Sequence, residues 1–284
     1  MLRVGLVTCA DVPRLAADDH LLADELQRRG VATEAVVWDD PAADWAAFDR
    51  LVLRSCWDYH LQPGAFLEWL DSRERAGDRI FNPPALVRQN MHKSYLRGLD
   101  SGGIPIPPTA WLHRGRSVSL AGLLEQRGWT EAVVKPAVSA CAFQTFGVSS
   151  ASAPLEQDRL DRMLQAGDVL VQRFLPEIQS EGEWSLVFFA GRYSHAVRKR
   201  PKGGDFRVQA HLGGTVAAED PPDSLVQQAE AVADRVPRPW VYARIDGILV
   251  DGLFVLLEAE LTEPVLFLSC EKKAAGRFAD ALLG

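Results

Sequence analysis

The sequence predicts an α/β protein built from α+β lobes, with a parallel sheet first and a β-rich lobe last. Strands and helices alternate over residues 2–81, which is the pattern of a parallel sheet with covering helices. A proline-rich stretch at 104–108 interrupts the chain and is the clearest lobe boundary. From Glu183 onward, apolar runs separated by turn residues predict neighbouring β-strands.

The N-terminal lobe is predicted from the spacing of its apolar residues. Residues 18–29 place Leu21, Leu22 and Leu26 at helical spacing, and Gly30 follows as a typical helix end. The other elements predicted in this part are strands at 2–8, 31–38 and 50–54, a helix at 63–75 and, after the Asn82-Pro83-Pro84 break, a helix at 85–100.

The rest of the chain is predicted to form the central and C-terminal lobes. Asp251-Gly252 between two apolar runs is typical of a hairpin turn, so the last two strands are expected to pair. The predicted elements are strands at 108–112, 131–135, 145–149 and 168–174, helices at 119–127 and 155–166, strands at 184–190 and 193–199, a helix at 223–236, strands at 240–250 and 253–261, and a helix at 270–283.

The composition excludes several classes of protein. Lys and Arg number 31 against 38 Asp and Glu, and the net charge of −7 argues against a protein whose main task is to bind nucleic acid. No apolar run reaches the ~18 residues of a membrane span. The four cysteines form no C-x-x-C pair, which favours reduced thiols over a zinc site or disulfides. We therefore expect a cytoplasmic protein that binds neither nucleic acid nor membrane, and we leave a homo-oligomer open.

Three acidic residues are the strongest candidates for a metal site. Glu258 and Glu260 are two residues apart on a predicted strand, so their side chains project from one face. Asp246 lies on the partner strand of the hairpin and adds a third carboxylate. Carboxylate oxygens suit Mg²⁺, commonly with phosphate oxygens completing its shell. The spacing favours this metal site over the alternative, a solvated polar face of the hairpin.

A cationic segment at 198–207 is the second candidate site. It carries five Lys and Arg residues among ten, including Lys202 and Arg207, and Gly213-Gly214 follow it. A lysine point charge, an arginine fork and a flexible backbone are typical of a loop that binds an anion. In a chain of net negative charge we interpret the segment as a site for an anionic small ligand. A basic surface turn is the alternative.

Two lysines are placed differently from ordinary surface lysines. Lys93 lies in the first half of the helix predicted at 85–100, and Lys135 ends a predicted strand just before a proline turn. The loop at 137–145 is rich in small residues, so its amides and the Ser139 hydroxyl are candidates for binding phosphate. The alternative is that the lysines only extend their charged ends to solvent.

Taken together, these residues resemble the ATP-grasp superfamily of carboxylate–amine ligases over nearly the whole chain. The resemblance implies an ATP-grasp fold with an N-terminal lobe at 1–83, a linking helix at 84–106, a central lobe that covers ATP at 107–172 and a C-terminal lobe at 173–284. The matching motifs are Lys93, Lys135-Pro136, the hinge-like stretch 171–174, Gly182-Glu183, the stretch 204–207 before Gly213-Gly214, Arg244-x-Asp246 and Glu258-x-Glu260.

The superfamily resemblance also implies a role for each of these residues. Two departures are Glu260, where the superfamily often has Asn, and the few glycines in the loop after Lys135. By this resemblance, Lys93 and Lys135 with the Ser139 loop contact the ATP phosphates, Gln172, Arg173 and Phe174 contact adenine, and Glu183 contacts the ribose. Arg207 and Arg244 with Lys202 contact the transferring phosphoryl group. Two Mg²⁺ ions are bound by Asp246, Glu258 and Glu260.

Four stretches narrow the resemblance to the group containing the D-cycloserine-forming cyclo-ligase, which closes O-ureido-D-serine into a ring with ATP. These stretches are 54–59, 90–96, 198–209 and 258–264. The first follows a strand, where ligands meet the carboxyl ends of a parallel sheet. Candidates for holding the carboxylate and ammonium of an amino-acid-like substrate are Arg54, Ser55 and Asp58, with Gln209, Gly213 and Gly214 as further substrate residues. Helix capping and lobe packing are the alternative for the first three.

The expected reaction is phosphorylation of a substrate carboxylate by ATP, followed by attack of a nitrogen on the acyl phosphate. In a cyclo-ligase the attacking nitrogen belongs to the same molecule. One alternative is an intermolecular ligase, similar to glutathione synthetase or to a glutamate-adding enzyme. Another is a nucleotide-binding module that has lost catalysis. The expected cofactors are ATP and Mg²⁺, and the expected partner is a small amino-acid-like carboxylate.

Overall fold

The computed structural model describes residues 1–209 and 212–284, which form three β-sheets with helices packed against them. Each sheet comes from one of three successive stretches of the chain. The first sheet is parallel and the other two are antiparallel, which confirms the predicted α/β class. Over the described ranges, no helix has the length and apolar character needed to cross a membrane.

The first sheet matches the predicted strand–helix alternation. Its strands are β1 (Arg3–Thr8), β2 (Ala32–Val37), β3 (Arg50–Ser55) and β4 (Ile80–Phe81), and its helices are α1 (Ala17–Arg28) and α2 (Pro63–Ala76). The strands lie in the order β2-β1-β3-β4. In α1, Leu22 and Leu26 are fully buried as the spacing predicts, whereas Leu21 is partly exposed. The two-residue β4 was not predicted because it is too short to show a hydrophobic period.

The single helix predicted at 85–100 is wrong, because the structure has two helices there. They are α3 (Pro84–Met91) and α4 (Tyr95–Ser101). His92 between them has extended backbone angles, and the Lys93 amide donates to the carbonyl of Ala137 instead of to a helical partner. Lys93 therefore lies in the break and not within a helix, and the break directs its side chain toward the central lobe.

The second sheet forms a layer with its own apolar core. Its elements are β5 (Thr109–Leu112), α5 (Leu120–Arg127), β6 (Glu131–Pro136), β7 (Phe146–Ser149), α6 (Gln157–Ala166) and β8 (Val169–Arg173), and the strand order is β5-β8-β6-β7. The buried cluster joins strand residues such as Val134 and Val171 to Leu124 of α5 and Leu160 of α6. All four predicted strands and both predicted helices are confirmed.

The third sheet has five strands, one more than each of the other two sheets described. Its elements are α7 (Glu177–Ser180), β9 (Glu183–Phe189), β10 (Arg192–Arg200), β11 (Thr215–Ala218), α8 (Asp223–Arg235), β12 (Tyr242–Val250), β13 (Leu253–Glu260) and α9 (Ala274–Leu283). The order β11-β10-β9-β12-β13 pairs the last two strands, as predicted. Asp251 and Gly252 both have positive φ, which is the geometry of the expected hairpin turn. The final helix begins four residues later than predicted, because a 3-10 turn at Leu268–Cys270 precedes it.

The first and third sheets share one apolar core. Leu6 of β1 and Leu22 of α1 belong to the same buried cluster as Phe189, Tyr242 and Phe278 from the C-terminal part. The rings of Phe189 and Phe278 are stacked with their centroids 4.9 Å apart. This packing holds the N-terminal sheet and the C-terminal sheet together. The central sheet has a core cluster of its own, and Leu170 of β8 also packs into the core of the C-terminal sheet.

Asn82 ties the N-terminal sheet to the C-terminal one through four hydrogen bonds. Its Nδ2 donates to the carbonyl oxygens of Tyr242 and Leu261, each at 2.8 Å. Its Oδ1 accepts from the amides of Val241 and Tyr242 at 2.6 and 3.4 Å. Asn82 is fully buried, so water could not satisfy these backbone groups if its side chain were removed.

Replacing Asn82 with Ala is expected to lower the free energy of unfolding by roughly 2–4 kcal/mol, since it leaves buried backbone donors and acceptors without partners. Urea unfolding followed by tryptophan fluorescence measures the change. Gln27→Ala, on the exposed side of α1, serves as the control and should change stability little. Equal stability of the Asn82 and Gln27 variants would contradict the role of Asn82 as a link.

Candidate active site

A cavity of about 570 Å³ lies where the three sheets meet. The C-terminal sheet supplies a charged wall, the central sheet an opposing wall with Lys135, and the N-terminal part contributes Trp57 and Tyr59 at one end. Most of the predicted site residues line this one cavity. They are Lys93, Lys135, Ser139, Gln172, Arg173, Phe174, Glu183, Arg207, Gln209, Arg244, Asp246, Glu258 and Glu260.

The three predicted metal ligands come together on the C-terminal sheet. The register pairs Asp246 of β12 with Glu258 of β13, and Glu260 lies two residues further on the same face. One carboxylate oxygen from each residue lies within 4.8 Å of the others. The structure therefore favours the clustered arrangement over a solvated polar hairpin.

Four cations compensate these acidic groups and Glu183. Arg244 contacts Asp246 at 2.8 Å and also binds Glu260. The remaining ion pairs join Lys93 and Lys135 to Oε1 of Glu258, at 3.2 and 3.7 Å, and Lys199 to Glu183 and Asp246. In formal charges, the four carboxylates and the four cations cancel within one cluster, in which Glu258 and Glu260 are only partly buried.

The cations act unequally on the three carboxylates. Lys93 and Lys135 overcome the cost of burial and lower the pKa of Glu258 to about 2. Burial raises the pKa of Glu260, and the neighbouring carboxylates add to this effect while Arg244 opposes it. Burial also lowers the pKa of Lys135, although Glu258 opposes the shift. Glu260 is thus the member of the trio whose charge is least compensated.

The donor set fits Mg²⁺. Three carboxylates on two paired strands offer hard oxygen ligands from a rigid element, and their mutual repulsion is relieved by a divalent cation. Ser185 supports Asp246 from β9 by donating its hydroxyl hydrogen to Oδ1. A hydrogen bond of this kind fixes the orientation of a ligating carboxylate.

The loop after Lys135 is held against Lys93. Lys93 Nζ donates to the carbonyl oxygen of Ser139 at 3.0 Å, and both residues are buried. The loop lacks glycine, yet Cys141, Ala142 and Gln144 all adopt positive φ. Non-glycine residues rarely take this conformation, so the loop keeps a bent shape at some cost in backbone energy.

The hinge residues lie at the end of β8, between the central and C-terminal sheets. Gln172 is buried and its side chain donates to the Thr109 hydroxyl at 3.0 Å. The amides of Arg173 and Phe174 donate to the carbonyls of Pro108 and Glu131. The ring of Phe174 meets that of Phe206 edge-on, with centroids 6.1 Å apart, and both line the cavity.

The predicted cationic segment divides into two parts. Its first three residues belong to β10, where Arg198 and Arg200 bind Glu219 while Lys199 faces the cavity. Lys199 is a functional candidate that the sequence analysis left unassigned. The signal was available in the sequence. If the predicted strand is extended through Arg200, Lys199 faces the opposite side from Arg198 and Arg200, because alternate strand residues face opposite sides.

The second part of the segment forms an irregular loop. Arg207 lines the cavity and binds Asp205, and this pairing lowers the pKa of Asp205 to about 2. Gln209 also lines the cavity, and its Oε1 is buried without a hydrogen-bond partner among the described residues. Among the residues described, those lining the cavity do not include Lys202 or the Gly213-Gly214 pair.

The two glycines shape the loop. A Cβ on Gly214 would lie 2.2 Å from the carbonyl oxygen of Val208, and one on Gly213 would lie 3.0 Å from the Lys202 side chain. Their small size is therefore a packing requirement. The catalytic role of Lys202 and the substrate roles of both glycines stay predictions, and in this conformation these residues lie outside the described lining of the cavity.

The structure corrects the predicted substrate residues of the N-terminal lobe. Arg54 is fully buried, where its guanidinium binds Asp19 at 2.8 Å and the carbonyl of Pro264. Ser55 donates to the other oxygen of Asp19, and Asp58 accepts a hydrogen bond from the Trp38 indole at 2.8 Å. Among the residues described, those lining the cavity do not include Arg54, Ser55 or Asp58. The alternative of lobe packing is the one that the structure favours.

Two further residues that sequence reasoning missed support the acidic strand. The Asn90 side chain binds the backbone of β13 on both sides of Glu260, donating to the Ala259 carbonyl and accepting from the Leu261 amide. The Tyr95 hydroxyl accepts from the Ala259 amide at 3.0 Å. Both residues lie in the stretch 90–96, but only the fold shows that they bind the backbone at the edge of the sheet.

Comparison with known proteins identifies the class. The solved D-cycloserine synthetase DcsG superposes with a TM-score of 0.88 at 29% identity, over 99% of this chain and 98% of that one. D-alanine–D-alanine ligase of Bacillus anthracis superposes with a TM-score of 0.70 at 17% identity, over 100% of this chain and 96% of that one. The fold and the charged cavity thus define an ATP-grasp enzyme, an ATP-dependent carboxylate–amine ligase.

The chain belongs to the D-cycloserine synthetase (DcsG) family. It is 30% identical to the cycloserine biosynthesis protein DcsG of Streptomyces lavendulae, over 98% of this chain and 97% of that protein. Residues 4–82 match the family described as the N-terminal domain of D-cycloserine synthetase DcsG. A glutathione synthetase of Prochlorococcus marinus is 28% identical over 75% of this chain and 66% of that protein. The resemblance inferred from the sequence motifs is confirmed.

Replacing Lys199 with Met is expected to lower the free energy of unfolding by about 3–5 kcal/mol in the absence of nucleotide, because Glu183 and Asp246 then share a buried site without this cation. Urea unfolding measures the change. The double variant Lys199→Met/Glu183→Gln, which removes one anion as well, should recover part of the loss. The exposed Lys272→Met is the control, and an equally small effect of both single variants would contradict the assignment.

Proposed function

We propose that this enzyme uses ATP to close an amino acid similar to O-ureido-D-serine into a ring, with the carbonyl carbon and a nitrogen of the same molecule forming the new bond. The observation that carries the proposal is the near full-length similarity to DcsG, together with a single cavity that collects the predicted phosphate, metal and hinge residues. A ligase needs cations that bring two anions, the ATP phosphates and the substrate carboxylate, into contact.

Asp246, Glu258 and Glu260 would hold the magnesium, and we propose two ions. When bound, Mg²⁺ neutralises phosphate charge and orients the phosphates for in-line transfer. Glu258 would exchange its lysine partners for the metal. Lys93 and Lys135, which both contact Oε1 of Glu258 in the free protein, would then be available to the phosphates.

The rest of the nucleotide would lie between the hinge and the C-terminal sheet. Phe174 and Phe206 offer aromatic surfaces for adenine, and Gln172 closes that end of the cavity. Because the amides of Arg173 and Phe174 already have partners, the adenine contacts of these two residues would involve their carbonyls and side chains. Glu183 would accept hydrogen bonds from the ribose hydroxyls, with Ser139 next to the phosphates.

Arg244 and Arg207 would carry the transferring phosphoryl group. Arg244 is buried on the metal face, and Arg207 approaches from the loop side. The substrate carboxylate oxygen attacks the γ-phosphorus and ADP leaves. The nitrogen then attacks the acyl carbon, phosphate leaves and the nitrogen loses a proton. An intramolecular nitrogen has a high effective concentration, so proximity supplies much of the rate.

The central sheet would act as the moving part. We propose lobes at 1–83, 107–172 and 173–284, joined by the two helices of 84–106. Most buried residues of the central sheet form their own cluster, with Leu170 and Ala137 packing against the C-terminal sheet, whereas the first and third sheets share a core. Closure of this lobe over the cavity would exclude water and protect the acyl phosphate from hydrolysis.

An intermolecular ligase is the second candidate, and its support is the similarity to glutathione synthetases at 24–28% identity. Such an enzyme needs a second molecule that brings the amine. A module without catalysis fits poorly, because all three acidic ligands and the lysine pair are present and clustered.

The proposal is tested by Mg²⁺-dependent ADP release over D- and L-amino acids including O-ureido-D-serine, each with and without an added amine. We expect release with the ureido compound alone and a cyclised product by mass spectrometry. Release only in the presence of an added amine would overturn cyclisation in favour of intermolecular ligation. Tight ATP binding without release over the whole panel would favour the inactive module.

Glu258→Ala is the matched inactive variant for this assay. It should abolish ADP release by removing a metal ligand, and its circular dichroism should match that of the wild type. Glu271→Gln, at a partly exposed position away from the cavity lining, controls for the loss of one carboxylate and should keep full activity. Undiminished release by Glu258→Ala would remove the metal assignment.

A further inference from the structure

Glu263 is a buried carboxylate that the nucleotide and metal roles do not use. It lines the cavity at the end formed by Trp57 and Tyr59, and only 9% of its surface is exposed. It follows Glu260 by three residues, just beyond the end of β13. This is the end of the cavity where the substrate, and not the nucleotide, is expected.

The charge of Glu263 is not matched by the protein. Five carboxylates line the cavity, and four of them form ion pairs with Lys93, Lys135, Lys199 or Arg244. Among the described residues, no Lys, Arg or His nitrogen lies within the 4.0 Å that defines an ion pair with Glu263. Burial accordingly raises its pKa to about 8. A buried charge of this kind is costly unless a partner arrives.

The backbone around Glu263 is fixed in advance. The Trp57 indole donates to the Glu263 carbonyl at 3.1 Å, and Arg54 donates to the carbonyl of Pro264 at 2.8 Å. Arg54 is itself held by Asp19. Trp57, which lines the cavity, and Arg54, which lies outside its lining, thus position the main chain at Glu263 and Pro264, and a fixed main chain limits the positions open to the Glu263 carboxylate.

The position of Glu263 relative to the phosphate and metal residues restricts which ligand can reach both. Lys93, Arg244 and Glu258 are close enough to Glu263 to influence its pKa, so the carboxylate lies near the phosphate and metal end. In an amino acid, the α-ammonium lies one carbon away from the carboxylate that is to be phosphorylated. One small molecule can therefore place its carboxylate toward Arg244 and its ammonium against Glu263.

We propose that Glu263 binds the α-ammonium group of the substrate, and thereby restricts this ligase to carboxylates that carry a free amino group. The inference rests on the proposed ligase function and names its substrate class more closely. It also replaces the ammonium site expected at Asp58, whose carboxylate binds Trp38. Glu263 acts here by binding alone, and no covalent step passes through it.

The test compares O-ureido-D-serine with its deamino counterpart, 3-(ureidooxy)propanoate, in ADP release by wild type and by Glu263→Gln. We expect Glu263→Gln to raise KM for the amino compound roughly 10- to 100-fold, the loss typical of a hydrogen bond to a charged group. KM for the deamino compound should stay the same. The preference of the wild type for the amino compound should therefore disappear in the variant.

Glu263→Asp and Glu156→Gln are the companion variants. The first keeps the charge on a shorter side chain and should restore part of the preference. The second removes a partly buried carboxylate outside the cavity lining and should behave as wild type. Loss of activity toward both compounds equally, through kcat, would overturn ammonium recognition and assign Glu263 to the metal or to proton transfer.

A binding measurement separates failure of this proposal from failure of the proposed function. If wild type releases no ADP with any compound, calorimetry with D-serine and 3-hydroxypropanoate, in the presence of Mg²⁺ and a non-hydrolysable ATP analogue, tests Glu263 directly. Tighter binding of D-serine that disappears in Glu263→Gln supports the ammonium site. Equal binding of both compounds, or a preference that survives the substitution, contradicts it.

Discussion

Opposite charges packed on one face of the C-terminal sheet govern how the cavity can work. Glu183 and Asp246 are buried, Glu258 and Glu260 are partly buried, and four cations pair with them, so removal of any one charge leaves another uncompensated. Two Mg²⁺ ions and ATP together are close to neutral, and they can enter such a cluster without changing its balance. In the proposed mechanism the lysines and the arginine would pass from carboxylates to phosphates, and the carboxylates would hold the metal. The groups that pair with the carboxylates in the free protein would then bind the phosphates.

The surrounding fold keeps this face in register. Asn90 and Tyr95 bind the backbone of β13, Ser185 binds Asp246, and Asn82 joins the C-terminal sheet to the N-terminal one. The shared core of the first and third sheets makes them one support. The central sheet has its own core cluster and meets the C-terminal core through Leu170 and Ala137, so its proposed closure would have to keep or rearrange that apolar contact.

The elements predicted correctly from the sequence are those with a local hydrophobic pattern that extends over several residues. The three sheets, the Asp251-Gly252 hairpin and the meeting of Asp246 with Glu258 all follow from periodicity and turn chemistry. The break at Lys93 was missed because it depends on a hydrogen bond to Ala137, a partner distant in sequence. Arg54 was misjudged for the same reason, since only the fold brings Asp19 beside it. Lys199 and Glu263 could not be assigned from the sequence, because only the fold shows which charged groups lie near each of them.

The central claim is that the acidic trio binds metal effectively only when nucleotide draws the cations away. Mn²⁺ binding, followed by electron paramagnetic resonance with and without a non-hydrolysable ATP analogue, tests this exchange most directly. The account predicts weak binding to the free protein, where Arg244, Lys93 and Lys199 occupy the carboxylates, and tight binding of about two ions with the analogue present. Equally tight Mn²⁺ binding in the absence of nucleotide, or binding unchanged in Asp246→Asn, would contradict it.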